Sequence, residues 1–236
     1  METNNQERRK FMDVRPDRDE IDRIYSPWGF DFESYCRLYS NLLNAAYTGE
    51  LDSFKMVASS YDNKGNGLAR TIQCLVDGSG TGSLAFAAAG GSVDVCRYLV
   101  EELNFDVDVK DDNGLTPLCF GAVKGHLNTV EYLLEKGANP DGSNDPDSTI
   151  NTPLHYVVLG GDRKIQTLLL SKGIRIDGAT KSGTALSYAV VLSQIDAVKV
   201  LLDHHADPNI MLHGCVAPLT ATIVNNSPQI MDLLLQ

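Results

Sequence analysis

The chain has 236 residues, of which 43% are apolar and 22% charged, and it carries a formal net charge of −11 at pH 7. That is enough apolar sequence to bury a core, and nothing in the composition marks the chain as disordered overall. The negative charge repels phosphate at long range, which excludes nucleic acid and an anionic membrane surface as the main partner and reads first as a solubilising surface.

The N-terminal METNNQERRK has no apolar h-region and no run of 18 apolar residues occurs, so neither secretion nor a membrane span is expected. Residues 1–30 interleave Arg with Asp and Glu and bury too little apolar surface to offset the entropy of ordering, so they are expected to form a flexible arm. Phe11, Met12, Ile21, Ile24 and Tyr25 are the residues that would serve a docking segment there instead. Pro27, Trp28, Gly29 and Phe30 mark a turn, with Trp28 folding back on the first helix. The spacing of Tyr35, Leu38, Tyr39, Leu42 and Ala46 predicts that helix to be long, begun by Asp31 or Ser34, and to cap the N-terminal end of the core. Gly49, Phe54 and Val57 continue it into a second helix. Leu68, Ile72 and Leu75 then predict an additional helix over Leu68–Val76, lying over a groove.

TIQCLV followed by DGSGTGS imitates a strand and a phosphate-binding glycine loop. The imitation is incomplete: Gly82 falls one residue early for G-x-G-x-x-G, no βαβ alternation follows Gly78 and Gly80, and no Gly-Lys-Ser/Thr is present.

The stretch from Asn113 to Pro140 sets the organisation of the chain. Thr116 is a helix N-cap, and Pro117 suits the first helical position because its missing N–H is one that the helix leaves unpaired anyway. Leu118, Gly121 and Ala122 make one face of about two turns, and Gly125 is placed to take the left-handed conformation that ends them. From Asn128, the residues Val130, Leu133 and Leu134 define a second helix closed by Gly137. The same pattern recurs. The residues in register with Leu118 are Leu42, Leu84, Leu154, Leu186 and Leu219, giving successive spacings of 42, 34, 36, 32 and 33 residues. Thr-Pro-Leu is complete at Thr152, Pro153 and Leu154, and partial at Thr184, Ala185, Leu186 and at Ala217, Pro218, Leu219. Periods near 33 residues are the signature of stacked helix–turn–helix units.

Gly114, Thr116, Pro117, Leu118, Ala122, Gly125, His126, Val130, Leu133, Leu134, Gly137, Ala138 and Asn139 resemble the ankyrin repeat, with Cys119 in place of its usual His. The resemblance runs over about 35–236 in six units. It implies an all-α ankyrin solenoid over 31–236, built of stacked helix-turn-helix units with hairpin-like loops. The polar arm, the Trp-Gly-Phe segment and the lengthened loop after the first unit are also similar to plant proteins in which ankyrin repeats precede tetratricopeptide repeats. No tetratricopeptide segment is present in this sequence, so no role of such a segment carries over.

Departures from the pattern carry their own expectations. Asn104 and His205 stand where a helix-ending glycine is usual, and both residue types tolerate positive φ. Ala217 is a weak N-cap. The run Asp141, Gly142, Ser143, Asn144 and Asp145 reads as a projecting turn with no packing role. Ile230, Met231, Leu233, Leu234 and Leu235 crowd the last helix, which is expected to fray and to self-associate, or to be covered by further chain or a partner.

Chemistry is not expected. The five cysteines, Cys36, Cys74, Cys96, Cys119 and Cys215, form no C-x-x-C pair and read as reduced core thiols of an intracellular protein, cytoplasmic or nuclear. His126 and His155 occupy repeat positions where imidazole bonds to neighbouring backbone, and His204, His205 and His213 have no zinc spacing. No nucleophile elbow is present and no cofactor is implied. The rival to a binding module is a nucleotide-binding enzyme or switch on Gly78–Gly82.

The resemblance implies a protein-interaction scaffold or adaptor whose partner protein meets the concave face. By position, the contact residues it implies are Ser79 and Thr81, then Lys110, Asp112, Asn113, Leu115, Val123 and Lys124. Ser148, Thr149, Asn151 and Leu159 stand at these positions in the next unit. Lys181, Ser182, Val191 and Leu192 come after them, and His213, Val216, Val224 and Asn225 in the last. Val191, Leu192 and Val224 weigh most, because apolar residues at exposed helix positions mark contact patches better than isolated charges do. Arg163, Lys164, Lys172, Arg175 and Lys181 would add a local basic patch able to steer an acidic segment.

Overall fold

The computed structural model describes residues 32–61, 67–73, 75–77, 79–142, 151–180, 183–210 and 217–236. The expectations for the polar arm, Trp28, Asp31, Cys74, Gly78, Cys215 and the loop tip beyond Gly142 lie outside them. Two compact units divide the chain, one up to Asn113 and one from Gly114.

In the first unit, α1 (Phe32–Thr48) is the long N-terminal helix that the Tyr/Leu stripe predicts, and Ser34 lies inside its first turn. It packs on α2 (Leu51–Tyr61) and on α4 (Ser83–Gly90), burying Leu42, Ala45 and Ala46 with Phe54 and Ala58. The approach of α4 is very close, because a Cβ added to Gly90 would collide with the Tyr47 carbonyl. The Ser92 hydroxyl donates to that carbonyl at 3.1 Å, so a helix-end acceptor of α1 is satisfied by the neighbouring pair.

The additional helix α3 (Leu68–Gln73) is present but shorter than expected, and it lies on α2. It stops because Val76 leaves helical geometry to pair with Gly82 in an antiparallel bridge. Ile72 and Leu75 are buried all the same.

Helix α5 (Val93–Arg97) runs directly into a π-helical turn at Tyr98–Glu102. From Leu99 to the positive-φ Asn104 the chain counts one residue more than from Leu133 to Gly137. The wider π turn absorbs that residue, so the Phe105 N–H reaches the Leu99 carbonyl at 3.0 Å, as the Ala138 N–H reaches Leu133 at 3.0 Å.

The second unit holds four helix pairs among the described residues. They are α6 (Pro117–Val123) with α7 (Leu127–Glu135), α8 (Pro153–Gly160) with α9 (Arg163–Ser171), α10 (Ala185–Val191) with α11 (Ile195–Asp203), and α12 (Pro218–Val224) with α13 (Pro228–Leu234). First helices pack on first helices and second on second. Leu118, Leu154 and Leu186 fill one column of the core, and Leu133, Leu169 and Leu201 fill another. In the last pair the corresponding Leu219 is 41% exposed. The expected crowding on α13 is only partly found: Ile230 is fully buried, Met231, Leu233 and Leu234 are half-buried, and Leu235 is exposed.

Gly125 takes φ +76° as its turn requires, and at the same register Ser193 and Asn226 adopt φ +55° and +50°. Asn104 (φ +54°) and His205 (φ +67°) sit in the left-handed region as expected. The run after Pro140 departs from expectation, because Asp141 does have a packing role. Its Oδ1 accepts the Arg175 N–H at 2.8 Å and its Oδ2 lies 3.4 Å from the Arg175 guanidinium. Gly142 is buried, 3.0 Å from Pro153 at the position of its missing Cβ. In the next pair, Asp177 Oδ1 accepts the Asp207 N–H at 3.0 Å, so the same carboxylate-to-backbone tie is used twice.

Thr129 sits on α7 at a position filled by Ile165 on α9 and Ala197 on α11, and its fully buried hydroxyl has no hydrogen-bond partner. Leaving such a group unpaired costs about 1–3 kcal/mol. Thr129→Val is therefore expected to raise the stability by about 1 kcal/mol in urea denaturation followed by circular dichroism. A lowered midpoint would show that the hydroxyl holds a bond.

Candidate docking surface

The caps and close contacts of its first helices decide which side chains the second unit presents to solvent. Thr152 and His155 form a reciprocal capping box at the start of α8. His155 Nδ1 accepts from the Thr152 hydroxyl at 2.8 Å and from the Thr152 N–H at 3.3 Å, while Nε2 donates to the Gly183 carbonyl at 3.2 Å. One neutral imidazole therefore starts its own helix and holds the loop of the following pair. Thr184 caps α10 by accepting the Ser187 N–H at 3.2 Å. Thr116 is the N-cap of α6 as expected, but its hydroxyl lies 3.5 Å from Cys119 Sγ, where α8 has His155. Ala217 heads α12 with no side-chain cap, as its side chain dictates.

At the other end the first helices are pinned together. A Cβ on Gly160 would come within 2.8 Å of the Val123 carbonyl, so α8 crosses the end of α6 closely. Asn225 achieves the related contact with an amide, donating to the Val191 carbonyl at 2.9 Å and to Val190 at 3.3 Å. The Val191 carbonyl at the C-terminus of α10 is thus used by the next pair.

Held this way, the first helices expose one stripe. Pro117–Val123, Pro153–Gly160, Ala185–Val191 and Pro218–Val224 contain no Lys, Arg, Asp or Glu, whereas every second helix of the unit contains at least one. On α6, α8 and α10 the neighbours on either side are buried, while Phe120, Tyr156 and Tyr188 are half-buried and face out. Three residues further on, at the same helical face, come half-buried Val123 and exposed Leu159 (46%), Val191 (53%) and Val224 (76%).

The expected contact residues divide accordingly. Leu159, Val191, Leu192 and Val224 are exposed on this stripe. Lys124 is half-buried at the end of α6, while Leu115 and Asn151 are half-buried ahead of α6 and α8, and Asn151 also accepts the Thr180 hydroxyl at 3.3 Å. Asn225 is exposed, with its amide engaged on α10 as described. Lys110, Asp112 and Asn113 are exposed on a loop of the first unit. Thr81 is buried there, its hydroxyl donating to Asp111 at 3.3 Å, and Ser79 is half-buried. Ser148, Thr149, Lys181, Ser182, His213 and Val216 lie outside the described residues. Of the basic set, Arg163, Lys164 and Lys172 are exposed, and Arg175 is paired with Asp141. The aromatic column of Phe120, Tyr156 and Tyr188 is not among the contact positions the repeat pattern implies, although each stands two residues after a first-helix Leu.

The glycine stretch is closed by its own acid. Asp77 Oδ1 accepts the N–H groups of Ser79 and Thr81, both at 2.8 Å, so two of the donors a phosphate would need are already taken. Asp111 repeats the device by accepting the Asn113 N–H at 3.0 Å. Cys96 and Cys119 are buried free thiols, and burial pushes Cys96 up to about 12. Among the described residues no group of three or more His, Cys, Asp or Glu is placed to hold a metal ion, and no helix is long and apolar enough to cross a membrane.

The comparisons agree with this geometry. A family model described as "Ankyrin repeats (3 copies)" matches residues 42–144 and 142–211. The chain belongs to the ankyrin-repeat family, whose members generally mediate protein–protein interaction and are typically non-enzymatic. It is similar to the crystal structure of the human ASB11 ankyrin repeat domain, with a TM-score of 0.68 and 27% identity over 82% of this chain and 81% of that one. It is 27% identical to the human transient receptor potential cation channel subfamily A member 1 over 65% of this chain and 14% of that protein. A putative ankyrin repeat protein of Rickettsia bellii is 32% identical over 51% of this chain and 37% of its own length. The chain therefore spans a minor part of these two full-length relatives. Helices α12 and α13 lie beyond the residues the family model matches.

Burial holds His155 neutral, lowering it from 6.5 to about 4 against the opposing hydrogen bond to Gly183. A group depressed in this way favours the folded chain above the unfolded value near 6.5, and that contribution is lost as pH falls toward about 4. Wild type should lose about 3 kcal/mol more than His155→Gln between pH 7 and pH 4 in urea denaturation. Equal losses would show that the imidazole is not the source.

Proposed function

We propose that this chain is a protein-interaction scaffold or adaptor of the cytoplasm or nucleus, whose partner protein docks on the first-helix stripe of the second unit. The observation that carries the reading is the absence of charge from four successive first helices in a chain of net charge −11, together with the exposure of Leu159, Val191, Leu192 and Val224. Apolar side chains aligned at one register are what contact surfaces show, whereas isolated exposed apolar residues are ordinary. The half-buried aromatics beside them supply rigid area, the residue type that dominates binding energy when an interface closes. No catalytic step and no cofactor is proposed. The nucleotide reading has no support, because Asp77 already occupies the amides of the glycine stretch.

The test replaces Leu115, Val191 and Leu192 by Asp. Proteins captured by the wild-type chain and lost by the variant are the candidates, and the affinity of a purified candidate is then measured for both. A loss of at least a hundredfold with unchanged helical circular dichroism is expected. A purified partner that binds the variant as tightly as wild type would place docking elsewhere.

A further inference from the structure

We infer that the occupant of this stripe is an amphipathic α-helix of the partner, laid along the stacking direction and offering apolar side chains at every seventh residue. The inference rests on the docking reading above and adds the shape of what docks. Its first ground is hydrogen bonding. A docked strand or polyproline segment turns backbone N–H and C=O groups toward the surface, and unpaired polar groups are costly once water is excluded. The exposed Leu159, Val191, Leu192 and Val224 offer no side-chain donor or acceptor to receive them, the hydroxyls of the half-buried Tyr156 and Tyr188 are too few to pair the edge of a strand, and the carbonyls of Val190 and Val191 beside them are already bonded to Asn225. A helix satisfies its own backbone and needs only apolar contact.

The second ground is spacing. Packed helices lie about 8–10 Å apart, so exposed side chains on successive first helices recur at about that interval. A helix rises 1.5 Å per residue, which puts residues seven apart about 10.5 Å along the axis and close to one face. An extended strand covers a similar distance in about three residues, and an odd count turns the side chain to the opposite face. The third ground is charge. An uncharged stripe receives an uncharged contact face, because an unpaired ion buried there would be expensive, while the chain's net −11 favours a basic outer face on the incoming helix.

The test uses synthetic peptides of about 24 residues, roughly 36 Å when helical and long enough to pass four first helices. One is built of Ala, Gln and Lys with Leu at every seventh position. A second has the same composition with Leu at every sixth position, and a third keeps the seven-residue spacing but carries two central Pro residues. Binding to the intact chain is read by fluorescence anisotropy. The seven-spaced helical peptide is expected to bind at least tenfold more tightly than either control, and Val191→Asp is expected to remove that advantage. If the Pro-containing peptide binds as tightly through Val191, the surface stands and the helical occupant is wrong. Equal binding of all three, or binding of none, also overturns the inference. Failure of the docking reading itself would show separately, as a natural partner indifferent to the Asp substitutions.

Discussion

The fold of the second unit depends on the burial of one leucine from each of α6, α8 and α10 against the pair beside it. Leu118, Leu154 and Leu186 are all buried at the same register, and each such side chain removed from water is worth about 2–3 kcal/mol. Helices as short as Pro117–Val123 would not persist alone, because nucleation is unfavourable and few propagating bonds come after it. Stability therefore belongs to the stack, and it is weaker at α12, where Leu219 is 41% exposed.

Apolar stacking has no direction, so polar ties set the register. The His155 Nε2 bond to Gly183, the paired use of Asp141 and Asp177, and the Asn225 amide each join one pair to the next through a backbone group. These ties lie at the ends and edges of the first helices. Beside them the helices carry no charge, and Leu159, Val191 and Val224 in their last turns stay exposed, which is the condition a docking surface needs.

Much of this was legible because the repeat pattern is local. Thr-Pro-Leu, the glycines after each helix and the spacing of the leucines each state a backbone requirement, and Asn104 and His205 fulfilled theirs by adopting positive φ. What escaped reading depends on partners distant in sequence. Asp141 looked like turn chemistry because Arg175, which it holds, is 34 residues away. The end of α3 was misplaced because Val76 answers to a bridge with Gly82 rather than to helical periodicity. The π turn after Arg97 was hidden behind a one-residue surplus that could have been placed in the loop instead. Within the proposed docking surface, the exposure of Leu159, Val191, Leu192 and Val224 was readable from register alone. The engagement of Asn225 and the burial of Thr81 were not, since both arise from contacts made on folding.

The most direct measurement is carbene footprinting of the chain, free and bound to a purified partner that the Asp variant loses. Labelling of Leu159, Val191, Leu192 and Val224 should fall on binding, while Met56 and Val109, also exposed but in the other unit, keep their free-state labelling. Protection confined to the second helices, or to the first unit, would contradict the assignment of the uncharged first-helix stripe as the place where partners dock.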